Sequence, residues 1–202
     1  MLNLASAQGQ QYSFVTKWGS EDVGFGKFIQ PLDISIDADN NVYVTDSGGP
    51  EATVQKFTSD GTFITSWGPT GLGDGQFIRP GGVTVDSSDN VYVGNFGENN
   101  RIQKFDSNGS FITKWGTSGS GDGQFSRPAG LAVDASGNVF VVDEGNNRIQ
   151  KFDANGNFIT KWGTLGSGDG QFKEPTSIAL DSSGNVNIVD RGNSRIQVFS
   201  PS

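Results

Sequence analysis

The side chains able to do chemistry in this chain are carboxylates and guanidiniums, with little else beside them. The 202 residues include no histidine and no cysteine. The commonest general base, the commonest transition-metal ligand, disulfides and thiolate chemistry are all absent with them. Carboxylate-only metal hydrolysis would have to draw on Asp33, Asp46, Asp143 and Asp190. Asp143 and Asp190 precede Arg148 and Arg195 by five residues, a spacing that suits a structural carboxylate–guanidinium pair better than catalysis. Asp37, Asp86, Asp134 and Asp181 each close a short apolar run. They would form an acidic ring able to draw a hard cation, or cap turns through backbone donors two residues on; turn capping is the expectation. The Gly-Ser-Gly-Asp-Gly-Gln stretches around Asp122 and Asp169 offer one carboxylate each, far short of the about 6–8 oxygens calcium takes. They read as flexible crossover loops. The glycine runs also lack the lysine and Ser/Thr of a phosphate loop. No catalytic residue, metal site or cofactor is expected.

The elements that position these groups are repeated. Trp18, Trp67, Trp115 and Trp162 lie 49, 48 and 47 residues apart, and Pro31, Pro80, Pro128 and Pro175 keep the same intervals, as do Phe28, Phe77, Phe125 and Phe172. A period in the forties, with β-branched runs between glycine turns, signals a β-propeller or another stacked array. From Arg101 and Arg148, 33 of 47 positions are identical, so adjacent units must share one backbone plan. Each unit reads as four short strands. A small-residue run such as Gly130-Leu131-Ala132-Val133 suits an innermost strand. Then come runs like Val91-Tyr92-Val93 and Arg-Ile-Gln-Lys-Phe, a tight Asp-Gly or Asn-Gly turn at Asp60-Gly61, Asn108-Gly109 or Asn155-Gly156, and a fourth run such as Phe111–Trp115. Phenylalanines and tryptophans at fixed strand positions read as core between blades.

The string from Gly123-Gln124-Phe125 through Pro128 to Asp134, followed by Gly137-Asn138-Val139 to Asp143 and by Asn146-Asn147-Arg148-Ile149-Gln150-Lys151-Phe152, resembles an NHL repeat. The resemblance covers nearly everything from Tyr12 to Phe199. It implies an all-β protein, a β-propeller of four NHL-type blades, with residues 1–11 as an N-terminal extension and residues 12–202 as the propeller. NHL propellers usually have six blades, sometimes five, so four units pose a closure problem. The expected solution is a ring closed by the N-terminal strand Phe14–Trp18 completing the last blade, beside the strand ending at Phe199. Two chains exchanging these ends to build a larger ring is the alternative, which makes a monomer the first expectation and a strand-exchanged homodimer the second.

Function is read where length varies. Asp46 to Val54 spans 8 residues, Asn95 to Ile102 spans 7, and Asp143 to Ile149 and Asp190 to Ile196 span 6, so all length change falls between second and third strands. Those loops share a face with the segments leading into the innermost strands, and loops on a rigid scaffold are where binding residues concentrate. Candidates on this face are Phe96, which is either an exposed anchor or folded over its own blade, and Asp33, which faces the channel mouth or bonds a local turn. Glu98, Glu144, Arg191, Arg79 and Arg127 complete the set. The expected function is a non-catalytic interaction or scaffold module for a protein, peptide or glycan. Alternatives are a propeller lyase or lactonase with a carboxylate-bound metal, RNA binding, or a duplicated or designed scaffold without ligand. The formal net charge of −8 opposes nucleic-acid and membrane-surface partners. Ala5-Ser6-Ala7 resembles the end of a secretion signal and leaves the compartment open.

Overall fold

A computed structural model describes residues 12–201. The extension read over residues 1–11 lies outside the described residues. No helix among them is long and apolar enough to cross a membrane. The first blade comprises β1 (Pro31–Ile36), β2 (Val42–Asp46), β3 (Thr53–Phe57) and β4 (Phe63–Trp67). The second comprises β5 (Arg79–Val85), β6 (Val91–Phe96), β7 (Arg101–Phe105) and β8 (Phe111–Trp115). After the two-residue strands β9 (Thr117–Ser118) and β10 (Gln124–Phe125), which pair in parallel, the third holds β11 (Pro128–Val133), β12 (Val139–Asp143), β13 (Arg148–Phe152) and β14 (Phe158–Trp162). The fourth holds β15 (Pro175–Leu180), β16 (Val186–Asp190) and β17 (Arg195–Phe199). Within each blade the strands pair antiparallel in chain order, and the innermost strands pack in the order β1, β5, β11, β15. This is the four-bladed all-β propeller the repeat implied.

Local chemistry builds each hairpin. Asp37 Oδ1 accepts the backbone N–H of Asp39 at 3.0 Å and of Asn41 at 2.8 Å, so the carboxylate closes the β1–β2 turn. The Tyr43 hydroxyl donates to its other oxygen at 3.0 Å. Asp86, Asp134 and Asp181 do the same for their turns, as expected of caps. The turn between β7 and β8 needs glycine twice over at Gly109. Its φ is +86°, and a Cβ there would lie 2.5 Å from the Trp67 ring of the preceding blade.

That tryptophan contact is the unit of cohesion. Trp67 packs at 5.9 Å from Phe105 of the next blade, Trp115 at 5.9 Å from Phe152, and Trp162 at 5.8 Å from Phe199. Phe77, Phe125 and Phe172 are wholly buried beside them. Each junction thus has its own apolar cluster, in which one blade offers Tyr43, Tyr92 or Phe140 with Val54, Ile102 or Ile149, and the next receives them. At about 1.5–3 kcal/mol per buried large side chain, these junctions stabilise blades too small to stand alone.

The closing strand is where the structure corrects the expectation. Phe14–Trp18 forms no strand, the fourth blade has three strands, and the outer edge of β17 is unpaired. Trp18 lies instead 4.5 Å from Phe57, against the first blade, in the place each tryptophan takes on the blade that follows it. Phe14 and Val15 remain exposed. The physical reason is blade spacing. The junction geometry carried around three contacts leaves the first and fourth blades without an extensive contact, although β1 and β15 both line the central channel.

Candidate functional site

The loops between second and third strands do share a face with the segments leading into the innermost strands. In the third blade, Glu144 N–H donates to the Arg127 carbonyl at 3.2 Å and Gly145 N–H to the Ser126 carbonyl at 2.8 Å. Asp143, fully buried, organises this corner. It accepts from Arg148 Nε at 2.7 Å, Ser126 N–H at 2.7 Å, Asn146 Nδ2 at 2.9 Å and Gln150 Nε2 at 3.1 Å. Asp190 repeats the arrangement with Arg195 Nε at 2.8 Å. Burial alone would push the Asp190 carboxyl up, but donors from Lys173, Asn193, Arg195 and Gln197 outweigh it and hold it below the usual range. Both are structural pairs, as their spacing implied. Asp46 is likewise committed to the N–H groups of Ile29 and Gln30. Among the described residues, no three carboxylates converge as metal ligands.

At the mouth of the central channel the four blades line one depression of about 240 Å³. Asp33, Phe96 and Glu144 all face it, with Thr176 and Ser177 from the fourth blade. Three sequence candidates are therefore brought together, and two more flank them. Glu144 is buried, with 8% of its side chain exposed, yet it pairs with the largely exposed guanidinium of Arg127 at 3.2 Å and lies 3.9 Å from that of Arg191. Arg191 continues to Glu174 at 2.7 Å. Phe96 is half-buried, its ring over Gly81 of its own blade, with the Arg79 guanidinium 5.9 Å from the ring centre. The ring is thus folded over its own blade and still borders the depression. Glu98 is exposed on the loop after β6 and does not line it.

Asp33 corrects the expectation of a local turn bond. Its Oδ2 accepts the Val83 N–H at 2.9 Å, joining the innermost strands of two blades. Burial raises its pKa, opposed by the backbone donors of Val83 and Ile34. The glycine-rich crossovers are also more constrained than their composition implied. Gln124 Oε1 accepts the Gly121 N–H at 2.9 Å, and Arg148 and Gln150 donate to the Gln124 carbonyl.

Left-handed backbone at non-glycine residues occurs at this rim as well as in the β1–β2 and β5–β6 turns, at Asn40 and Asp89. Arg127 and Glu174, each preceding the first proline of an innermost strand, have φ of +57° and +49°. Non-glycine residues rarely take this conformation, which costs about 1–2 kcal/mol each. The preceding blade holds them there: Asn100 Oδ1 accepts the Arg127 N–H at 2.9 Å, and Asn147 Oδ1 accepts the Glu174 N–H at 2.8 Å. Sequence reading passed over Glu174, Thr176 and Ser177 as site residues. The only available signal was their place beside Pro175.

The model of the NHL repeat matches residues 77–105, 125–152 and 172–199. No curated protein is detectably similar in sequence. Solved structures share the fold at low identity. A protein of unknown function from Bacteroides thetaiotaomicron superposes with a TM-score of 0.67 at 17% identity, over 84% of this chain and 47% of that one. A catalytically inactive virginiamycin B lyase from Staphylococcus aureus, with quinupristin, gives 0.61 at 17% identity, over 85% and 56%. A nidogen/laminin complex gives 0.57 at 16% identity, over 85% and 65%. The chain thus spans about half to two thirds of the length of these structures. Repeat matches and blade architecture agree: this is a β-propeller whose second, third and fourth blades carry NHL repeats.

Proposed function

We propose that this propeller is a non-catalytic binding module that takes a protein or peptide segment at the channel mouth. The observation that carries the reading is the convergence of a half-buried aromatic, Phe96, with a buried carboxylate, Glu144, held between two exposed guanidiniums. An aromatic beside arginines is the composition of an interface hot spot. The left-handed backbone of Arg127 and Glu174, fixed by Asn100 and Asn147 of the preceding blades, holds this rim in one conformation for a partner to meet. The propeller in the nidogen/laminin structure belongs to a protein complex, which is consistent with such a role. The lyase is catalytically inactive through a histidine-to-alanine change, and this chain has no histidine for that task. The rim alternates Arg127, Glu144, Arg191 and Glu174 rather than presenting a basic track, so RNA is not the expected ligand. Selection from a displayed peptide library, with a glycan array in parallel, tests the reading. Peptide binders that lose about 30-fold or more in affinity to Phe96→Ala support it. Binders indifferent to Phe96→Ala and to Arg127→Glu/Arg191→Glu overturn it.

A further inference from the structure

Two blade faces are not covered by another blade among the described residues, although Trp18 and Phe28 lie against part of the first blade's. On the fourth blade Ile196 is 59% exposed, whereas its counterparts Val54, Ile102 and Ile149 are 0% exposed at the internal junctions. On the first blade Ile34 is 58% exposed, whereas its counterpart Val83 is 3% exposed. The open edge of β17 adds a row of unpaired backbone groups, which is a template for another strand.

The chain carries the strand that fits this edge. Phe14-Val15-Thr16-Lys17-Trp18 repeats the sequence of β8 and β14 with one conservative change. β13 pairs with β14 so that Gln150 faces Lys161 and Ile149 faces Trp162. The same register sets Gln197 opposite Lys17 and Ile196 opposite Trp18. In its own chain, however, this segment is held against the first blade through Trp18, across the gap from β17.

The two free faces also depart from the repeat together. At internal junctions a lysine reaches the next blade's turn: Lys56 Nζ donates to the Ser107 carbonyl and Lys104 Nζ to the Ala154 carbonyl, both at 3.2 Å. Those turns begin with Asp106 and Asp153. The fourth blade has Val198 in place of the lysine, and the first blade's turn begins with Thr58 in place of the aspartate. At a contact between a fourth blade and a first, Val198 would meet a turn that opens on the uncharged Thr58 and keeps its carboxylate two residues on, at Asp60.

We propose that a second copy of this chain completes the ring, with residues 14–18 of each copy becoming the fourth strand of the other copy's last blade. Each chain presents one free face of either kind, so the contact is head to tail and closes with two-fold symmetry. A blade face is roughly 17 Å by 19 Å, so the two faces of one chain project roughly 650 Å² before side-chain relief, near the about 800 Å² per partner of a stable interface.

The full 202-residue chain tests this directly. Light scattering should give twice the 21.4 kDa chain mass. Since the chain has no cysteine, Lys17→Cys protein mixed with Gln197→Cys protein, refolded together and oxidised, should yield a disulfide-linked pair of the two variants. A single-chain mass, or a Lys17→Cys/Gln197→Cys double variant that crosslinks only within itself, overturns the proposal in favour of self-closure. A ladder of higher masses overturns the closed pair.

Discussion

Replacing Asp143 separates the cost of losing a buried charge from the cost of losing one hydrogen bond. The carboxylate is fully buried, and the Arg148 side chain beside it is 7% exposed. Asp143→Ala strands that guanidinium and removes the acceptor for Ser126 N–H, Asn146 and Gln150. Breaking one partner of a buried pair costs about 3–5 kcal/mol. Asp143→Asn is a different perturbation, because the second blade already runs the same corner with Asn95. There Asn95 Oδ1 accepts the Ile78 and Arg79 N–H groups, while Arg101 Nε has no partner and its terminal nitrogens bond the Leu72 and Gln76 carbonyls. Asparagine at 143 should therefore cost about 1–3 kcal/mol, the value of an unmet polar group. With a urea slope of about 2 kcal/mol per molar, the midpoint followed by tryptophan fluorescence should fall by about 1.5–2.5 M for alanine and about 0.5–1.5 M for asparagine. Equal losses for the two variants, or an alanine midpoint within about 0.3 M of wild type, would refute the assignment of this carboxylate as the blade's organiser.

Other outcomes follow from the same geometry. Asp190→Asn should cost less than Asp143→Asn in the same urea titration, because the Arg195 side chain is 28% exposed and water takes over part of the lost bond. Burial pushes the carboxyls of Asp37 and Asp86 up, but their bonds from Asn41 and Tyr43, and from Asn90 and Tyr92, prevail and lower both pKa values. A depressed folded pKa gives stability that is full above the unfolded value of about 3.9 and is lost as pH falls through the folded one, so melting temperatures should drop below about pH 4. Asp33 has the opposite sign: its raised pKa means that ionisation opposes folding above the unfolded value. Asp33→Asn, which keeps an acceptor for Val83, should therefore melt no lower than wild type at pH 7, and a lower melting point there would contradict the sign. Gly109→Ala should destabilise by more than about 1 kcal/mol, since it adds a methyl group against Trp67 at a φ of +86°, whereas Gly123→Ala, with open space around it, should cost less.

The blade was legible in the sequence because its signals are local. The Asp–Gly and Asn–Gly turns, the aspartate caps and the five-residue spacing of Asp143 to Arg148 each depend on neighbours within one hairpin. What failed to show was whatever depends on the angle between blades. Phe14–Trp18 spells a fourth strand, but its sequence cannot say which edge it reaches, and the structure places Trp18 on Phe57 rather than beside β17. Asp33 read as a turn residue because its partner, Val83, is 50 positions away. The crossover glycines read as flexible because the bonds that fix them come from Gln124 and Arg148 side chains, whose direction is set only once the blade folds. For the proposed site, loop-length variation pointed to the face on which Phe96 and Glu144 line one depression with Asp33. Strain at Arg127 and Glu174 left no mark, since arginine and glutamate carry no preference for positive φ.

Arg127→Gly joins these threads in one experiment. Glycine relieves the strained φ of +57° and removes the guanidinium that faces Glu144. If the rim is kept for recognition, the variant should melt at or above the wild-type temperature, gaining up to about 1 kcal/mol, while affinity for a peptide selected on wild type falls at least about tenfold. Unchanged affinity, together with a lower melting temperature, would show that Arg127 serves the fold and would contradict a binding site at the channel mouth.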